Sequence, residues 1–334
     1  MLSSFSSFKM INIVLIIIMI LIILFSLTLG QYPISYSQLA LYGIGKQSLS
    51  PLDEHIIWSI RLPRIIMALG VGGALAYCGT ILQGVFHNPL VDPHIIGVTS
   101  GAAFGGTLAI LLGFSTFGLM SSTFFFGLLA LVVIYILAEV LGKNDRLMLI
   151  LLGIVLSGVF AALVNLIQYL ADTEEKLPSI IFWLLGSFST VNWHKVGLMW
   201  FPLCIVGSVL YRLRWRINIL SLGDLEANAL GINVSTLRYC ILLLTAIIIA
   251  AQVAVSGSIG WIGLVVPHLA RTLVGADHRR LLPTAFILGA IIMMIVDDIA
   301  RTLSQAEIPL GIITALFGAP LFIILLAKER AWKK

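Results

Sequence analysis

Residues 11–29 read INIVLIIIMILIILFSLTL and contain no charged side chain. A run of this length matches the roughly 20 apolar residues that a helix needs to cross the ~30 Å hydrocarbon core of a bilayer. The run does not alternate as a barrel strand would, and in lipid only a helix satisfies its own backbone hydrogen bonds. Lys9 alone precedes the run as a basic residue, and no A-x-A-like cleavage site follows it. We therefore interpret the run as a first membrane span rather than a cleaved signal peptide.

The rest of the chain repeats this pattern. Of 334 residues, 60% are hydrophobic and only 10% are charged, against roughly 25% charged in a soluble domain. Hydropathy predicts ten spans, near 11–30, 62–83, 94–113, 119–141, 147–170, 195–213, 236–255, 261–276, 282–302 and 309–327. The sequence therefore predicts an all-α polytopic membrane protein of about ten transmembrane helices, with residues 1–334 forming a single transmembrane domain.

The distribution of Lys and Arg predicts the topology. With the N-terminus inside, thirteen of these residues lie at cytoplasmic ends and six lie at outer ends, which favours cytoplasmic N- and C-termini under the positive-inside rule. Spans 2–5 then begin outside and spans 7–10 begin inside. Opposite orientation of two four-span groups is typical of inverted-repeat transporters.

Several function classes are disfavoured. The net charge of +5 is dispersed over span ends without a basic stripe, which argues against nucleic acid. The three cysteines, Cys78, Cys204 and Cys240, fall inside predicted spans without C-x-x-C spacing, so we expect buried packing residues rather than metal ligands or disulfides. No H-E-x-x-H metal motif occurs, and Gly43–Ser48 fails as a phosphate loop because Gln47 follows Lys46. Any ATPase that energises this chain must be another polypeptide.

Residues 221–231, SLGDLEANALG, are a short amphipathic segment in an otherwise apolar chain. Ser221 and Asp224 suggest a capping box, and Gly231 a C-terminal stop. A helix this short is marginal alone, so the side formed by Leu222, Leu225 and Ala229 is expected to dock on another protein.

Two further regions interrupt the apolar runs. The polar turn His87–Pro93 contains two prolines, which prevent either neighbouring helix from continuing through it. Gly97, Gly101 and Gly105 follow at four-residue spacing, which favours close helix packing. A broken helix start to span eight is predicted by Gly257, Gly260, Gly263 and Pro267. Such irregular backbone is tolerated within a membrane only where protein or a water-filled cavity surrounds it.

These motifs together resemble the FecCD-type permeases, the membrane subunits of ABC importers for iron-siderophores, haem, vitamin B12 and, in some members, molybdate-type oxyanions. The resemblance covers nearly the whole chain from about residue 55 onward. It is carried by Arg61-Leu62-Pro63-Arg64, the glycine-rich span to Gln83, Asn88-Pro89-Leu90 with Asp92-Pro93, Gly97 to Ala102, Leu222 to Gly231, Gly257 to Arg271, Asp277-His278-Arg279, Asp297 to Arg301 and Pro309-Leu310-Gly311.

The resemblance implies roles for particular residues. A cytoplasmic coupling segment at about residues 214–235 would contact the ATPase. The outer-face arginines would pair with glutamates of a substrate-binding protein, for which a planar guanidinium is well suited. The implied ATPase contacts are Leu222, Gly223, Asp224, Leu225, Glu226, Ala229 and Gly231; the implied binding-protein contacts are Arg61, Arg64 and Arg301; the implied cytoplasmic gate is Asn88, Pro89, Leu90, Asn144 and Asp145.

Polar residues within or after span five are candidates for the translocation path, although polar residues in spans also join helices. These candidates are Asn165, Gln168, Gly186 and Ser187. Asp297, Asp298 and His268 lie within spans and would suit a proton relay, but we expect a structural pairing of the aspartates near Arg301 or Arg271 instead.

The resemblance implies a non-catalytic chain without a cofactor or metal of its own, in the cytoplasmic (inner) membrane of a bacterium or archaeon. It would work as a homodimer with two ATPase subunits that hold ATP and Mg²⁺, an extracytoplasmic binding protein, and membrane lipid around it. The expected cargo is an iron chelate (siderophore or haem), cobalamin or a related metal compound. Alternatives are a molybdate- or tungstate-type oxyanion or, less favoured, proton-coupled secondary transport.

Overall fold

The computed structural model describes residues 2–46, 48–141 and 146–332, and in these ranges every regular element is helical. A π-helical turn, Ile56–Arg61, leads directly into α4. The helices are α1 (Leu2–Thr28), α2 (Tyr36–Gly43), α3 (Pro51–His55), α4 (Leu62–Val85), α5 (Val98–Leu111), α6 (Thr116–Val140), α7 (Arg146–Leu170), α8 (Lys176–Leu184), α9 (Trp193–Arg212), α10 (Arg214–Leu220), α11 (Asp224–Ala229), α12 (Val234–Ser256), α13 (Ile262–Val274), α14 (His278–Thr302) and α15 (Leu310–Trp332).

Each of the ten predicted spans corresponds to one of these helices. Within the described ranges, seven helical segments are long and apolar enough to cross a membrane. Three shorter apolar segments, Val98–Leu111, Ile262–Val274 and Leu310–Leu325, match the third, eighth and tenth predicted spans. The all-α polytopic prediction is therefore confirmed, whereas the inverted repeat stays a prediction.

Helix α4 forms the centre of the bundle and is buried along nearly its whole length. Its glycines allow backbone contact with two neighbours: a Cβ at Gly72 would lie 2.2 Å from the Gly289 carbonyl oxygen of α14, and one at Gly79 only 2.0 Å from the Gly263 oxygen of α13. Such approaches leave no room for any side chain, so these positions require glycine.

The relative directions of α1, α4 and α14 define two ends of the molecule. Thr284 near the start of α14 donates to Asn12 in the first half of α1, at 3.0 Å, while Arg301 at the far end of α14 donates to Ser26 near the end of α1. Helix α4 runs the opposite way, since Arg64 at its start contacts Asp297. We call the end that carries α10 and α11 the coupling end, and the end that carries Arg61, Arg64 and Arg301 the arginine end.

The predicted glycine features are present. Gly101 and Gly105 bring α5 against α6, where Ser122 Oγ donates to the Gly105 oxygen at 2.7 Å. The chain between α12 and α13 is non-helical, with Gly257 at φ +71° and Trp261 at φ +70°. Protein surrounds this irregular backbone, and Gln252 donates to the Gly257 oxygen at 3.1 Å, as an unwound segment at membrane depth requires.

The cysteine prediction is only partly correct. Cys78 is buried in α4, but Cys204 on α9 and Cys240 on α12 have exposed side chains on the surface of the isolated chain. Span membership alone does not bury a residue, because the outer side of a membrane helix faces lipid or another subunit. All three thiols are free.

Candidate functional site

The segment predicted to bind the ATPase forms a helical hairpin-like projection at the coupling end. Ile217 and Leu220 of α10 and Ala227 of α11 are buried and fix the segment to the bundle. Leu225 and Leu222 point away from it, with 83% and 61% of their surface exposed, and Glu226, Ala229 and Gly231 are exposed as well. An apolar face with an acidic neighbour is thus open to a partner protein.

The local structure differs from the predicted capping box. Ser221 ends α10 and its Oγ donates to the Asn218 oxygen at 2.7 Å, while α11 begins only after Gly223, whose φ is +139°. The carboxylate of Asp224 instead accepts from Arg238 Nη2 at 2.6 Å and lies 3.4 Å from Arg146 Nε. Arg238 is only 1% exposed, and a buried guanidinium needs a carboxylate far more than a short exposed helix needs a cap. Asp224 therefore holds the segment in place from within the chain.

Three hydrogen bonds that the sequence did not reveal join this projection to α14 and to the end of α4. Asn218 of α10 donates to Asp277 Oδ1 at 2.6 Å and accepts from the His278 backbone N–H at 2.8 Å, at the first turn of α14. His87, directly after α4, places its Nδ1 2.6 Å from the Ser221 oxygen. The partners are distant in sequence, so no spacing pattern could have indicated them.

Asp277 sits at the centre of these contacts and stays ionised. Partial burial opposes its charge, but the Arg279 backbone N–H, the Asn218 amide and the positive charges of Arg279 and Arg280 prevail and hold the pKa of this carboxyl below its ordinary value. Its carboxylate also caps α14 through the Arg279 N–H at 3.0 Å.

The predicted gate turn is tightly braced from within. Asn88 Oδ1 accepts from the Leu90 N–H at 2.9 Å, and Asp92 Oδ1 accepts from the His94 and Ile95 N–H groups at 2.9 and 3.2 Å. His87 takes the left-handed conformation, with φ +51°, to begin the turn. Pro89 and Leu90 are exposed, whereas Asn144 and Asp145 lie outside the described residues.

The three arginines predicted to meet a binding protein are all largely buried within the isolated chain. Arg64 Nε donates to both oxygens of Asp297 at 3.0 Å, and its Nη1 lies 2.6 Å from Glu307 Oε1. Arg301 Nη2 donates to Asp298 Oδ1 at 2.5 Å and to Ser26. Of the acidic partners, Glu307 is the most accessible, with about 30% of its side chain exposed.

Arg61 is the third arginine of this cluster. Its guanidinium donates to the backbone oxygens of Leu27 and Tyr32 rather than to a carboxylate. The pairing of Asp297 and Asp298 near Arg301 that the sequence predicted is present, and Arg64 shares in it. The charges of Arg64 and Arg301 are therefore matched inside the chain before any partner arrives, whereas Arg61 is held by backbone oxygens.

The predicted path residues do not form one group. Asn165 is exposed and Gln168 half-buried on α7, whereas Gly186 is buried and Ser187 half-buried in the connection after α8. Ser187 borders a cavity of about 280 Å³ that Ser189, Thr190, Ser256 and Lys195 also line. Lys195 Nζ donates to Thr190 Oγ1 at 2.7 Å. Neither of the α7 residues lines this cavity in the described part of the chain.

The fold has close counterparts among known proteins. The molybdate import system permease protein MolB of Haemophilus influenzae is 51% identical over 306 residues, 91% of each chain. The hemin transport system permease protein HmuU of Yersinia pestis is 40% identical over 313 residues, covering 91% of this chain and 92% of the relative. A solved inward-facing structure of a metal-chelate type ABC transporter matches with a TM-score of 0.88 and 49% identity, covering 96% of this chain and 99% of its own.

The comparison with a protein family agrees with these individual relatives. The profile of the FecCD transport family matches residues 17–328, which include all ten apolar helices in whole or in part. This protein belongs to the FecCD transport family and is a membrane-spanning permease of the ABC importer type.

Proposed function

We propose that this permease carries a molybdate-type oxyanion across the cytoplasmic membrane of a bacterium or archaeon. The observation that carries the proposal is the 51% identity to a molybdate permease over 91% of both chains, against 40% for the haemin permease and 38% for an iron chelatin permease of Helicobacter pylori. The sequence alone placed iron chelates first, and this difference in identity supports the oxyanion instead.

The cavity that Ser187 borders at the arginine end supplies suitable chemistry on one side, and apolar residues such as Phe182 and Trp183 line the other. A tetrahedral oxyanion is recognised by N–H and O–H donors and a compensating positive charge. Ser187, Ser189 and Thr190 offer hydroxyl groups, and the Lys195 ammonium, now bonded to Thr190, offers the charge. A cavity of about 280 Å³ accommodates a small anion, and it is below the roughly 300–1,000 Å³ of sites for larger ligands.

The energy for transport comes from a separate ATPase in this proposal. Two copies of the permease form a homodimer. Two ATPase subunits, which hold ATP and Mg²⁺, bind the surfaces that contain Leu225, and a substrate-binding protein docks at the arginine end. The exposed Leu222 and Leu225 support the contact with the ATPase. An exposed apolar patch at the end of a membrane bundle, beside an acidic side chain, is typical of a surface that binds another protein.

Docking of the binding protein would involve an exchange of carboxylates at the arginine end. Glu307 is the accessible partner of Arg64, while Asp297 is buried beneath it. A glutamate of the binding protein that replaces Glu307 on Arg64 keeps the guanidinium paired throughout, so no buried charge is left uncompensated. Arg61 and Arg301 take part through the same cluster.

Uptake into proteoliposomes tests the cargo. The permease is reconstituted with its ATPase and binding protein, and internal molybdenum and iron are measured after addition of molybdate, an iron-siderophore or haemin. We expect ATP-dependent molybdate uptake that competes with tungstate and persists after collapse of the proton gradient. Uptake of the iron chelate or haemin in its place would overturn the oxyanion assignment, and uptake by the permease alone would overturn the ABC mechanism.

A matched pair of lysine variants tests the cavity. Lys195→Gln removes the ammonium that faces the cavity, whereas Lys176→Gln changes a lysine that donates to the Leu111 oxygen elsewhere at the same end. We expect Lys195→Gln to lower molybdate uptake about tenfold at subsaturating substrate, as the loss of one charge-assisted hydrogen bond predicts, and Lys176→Gln to leave it unchanged. Equal uptake in the two variants would remove the cavity from the proposal while leaving the cargo assignment standing.

A further inference from the structure

A groove between α4, α9 and α14 encloses about 540 Å³. Its walls are the side chains of Tyr77, Trp200, Leu203, Phe286 and Ile287, with Gly207 at its floor. The polar atoms of these walls are already satisfied: Tyr77 Oη donates to the Gly207 oxygen and Trp200 Nε1 to the Ile66 oxygen, both at 3.0 Å. The groove therefore offers only apolar contacts along its length.

The groove has the depth of one membrane leaflet. It extends along α9 from Trp200 to Arg212, which at 1.5 Å per residue is about 18 Å, slightly more than half of the ~30 Å hydrocarbon core. Its last residues, Ser208, Tyr211 and Arg212, lie at the coupling end, where a tyrosine suits the boundary between hydrocarbon and headgroups.

Positive charge concentrates at that mouth. Arg212 is exposed and forms no ion pair with the described residues. Arg214 lies over the Tyr211 ring, 4.1 Å from its centroid, and donates to the Tyr211 oxygen at 2.8 Å. Arg279 lies 4.4 Å over the ring of Trp215 nearby. The Arg212 guanidinium could bind an anionic group, and the apolar groove beside it could hold a hydrocarbon chain attached to that group.

We propose that the groove binds one anionic phospholipid from the leaflet at the coupling end, with an acyl chain along Trp200 and Phe286 and its phosphate on Arg212. A guanidinium binds phosphate oxygens in a bidentate manner, and basic pockets between membrane helices at this boundary are favourable for anionic headgroups. A protein segment in the groove would cover the apolar walls but would not by itself supply the charge that Arg212 needs.

The site would stabilise the junction on which coupling depends. Its walls come from the last turns of α9, which lead into α10, and from the first turns of α14, which Asn218 ties to α10. A lipid that fills the groove packs these two helices against each other at this junction. Lipid binding here does not depend on the identity of the cargo, whereas its effect on coupling rests on the proposed ATPase contact.

Native mass spectrometry of the full chain, purified with the subunits that remain bound and then delipidated, tests the headgroup contact. Phosphatidylglycerol and phosphatidylcholine with identical acyl chains are titrated against wild type, Arg212→Gln and Arg216→Gln. Arg216 is the matched control because it is exposed in the same basic run but does not line the groove. We expect one tightly bound phosphatidylglycerol per protomer, weakened about fivefold by Arg212→Gln and unchanged by Arg216→Gln.

Equal weakening by both variants would show diffuse attraction to the basic surface and would overturn the site. Equal affinity for the two lipids would overturn the anionic preference, and displacement of the bound lipid by soluble glycerol phosphate would show that the acyl chain contributes nothing.

A second pair of variants tests the acyl chain independently. A Cβ added at Gly207 meets only Leu203 Cδ1 at 3.7 Å, and one at Gly197 meets nothing within 4 Å, so both positions of α9 accept a side chain. Gly207→Trp fills the groove and is expected to lower phosphatidylglycerol affinity at least about tenfold, because the buried methylene contacts are lost. Gly197→Trp is expected to retain wild-type affinity, and a Gly207→Trp protein that still binds the lipid normally would refute an acyl chain in this groove.

Discussion

Replacement of Leu225 by Asp should detach the ATPase without disturbing the membrane fold. Leu225 is 83% exposed, so the isolated chain loses little when it changes. Complete burial of a leucine contributes about 1.5–3 kcal/mol, and the exposed share of Leu225 corresponds to about 1.2–2.5 kcal/mol if the partner covers it entirely. This is about a 7- to 70-fold loss of affinity, before the added cost of a carboxylate in an apolar interface.

The assay is direct titration of the detergent-solubilised permease with its fluorescently labelled ATPase. Leu303→Asp is the matched control because Leu303 is 70% exposed but lies at the arginine end, after α14. We expect wild-type affinity for Leu303→Asp and an unchanged thermal midpoint for both variants. If Leu225→Asp bound the ATPase within threefold of wild type, the exposed leucine face could not be the main contact. If its midpoint fell, the loss of binding would reflect unfolding of the segment instead.

Three further variants test the internal framework. Arg64→Gln leaves the buried carboxylate of Asp297 without its main partner and should cost about 3–5 kcal/mol, seen as a lower thermal midpoint in detergent, whereas unchanged stability would mean that the pair is dispensable. Asn218→Ala removes the bonds that join α10 to α14; we expect the ATPase to stay bound while the ratio of cargo imported to ATP hydrolysed falls, and an unchanged ratio would exclude this link from coupling. Gly79→Ala forces a Cβ to within 2.0 Å of a backbone oxygen and should destabilise by at least about 1–3 kcal/mol, whereas Gly158→Ala, with nothing within 4 Å, should not; equal midpoints would contradict the close packing of α4.

The apolar helices could be predicted from the sequence because membrane insertion imposes a simple rule. A segment of about 20 apolar residues must be helical in lipid, so hydropathy located all ten apolar helices. The broken start of α13 was equally predictable, since Gly257 supplies a positive φ that other residues adopt only at a cost. Helices α2, α3 and α8 escaped prediction because they are too short to leave a span-length signal.

The site was less predictable because its geometry depends on contacts between distant residues. Asp224 looked like a helix cap next to Ser221, but a buried arginine fourteen positions later recruits it. Arg64 and Arg301 looked like outward charges at a membrane edge, yet Asp297 and Asp298 draw both into the bundle. A single sequence records which charges exist, and only the folded chain decides which of them remain available to a partner.

The contacts of α4 and α14 suggest how a push at the coupling end reaches the other side. The two helices are joined at the arginine end by Arg64 and Asp297 and in the middle by the backbone contact of Gly72 with Gly289. At the coupling end a Cβ at Gly84 would lie 2.5 Å from His278 Nε2, so the contact is equally close there.

A pair fixed at three levels moves as one body, because close-packed interiors do not deform gradually. Both α4 and α14 are also tied to the coupling segment, through His87 and Asn218 respectively. If the ATPase displaces α10 and α11, as proposed above, we expect the α4–α14 pair to tilt as a unit. The His87–Pro93 turn joins α4 to α5, and its internal hydrogen bonds keep its shape. We expect a turn that keeps its shape to pass a tilt of α4 on to α5 as a displacement.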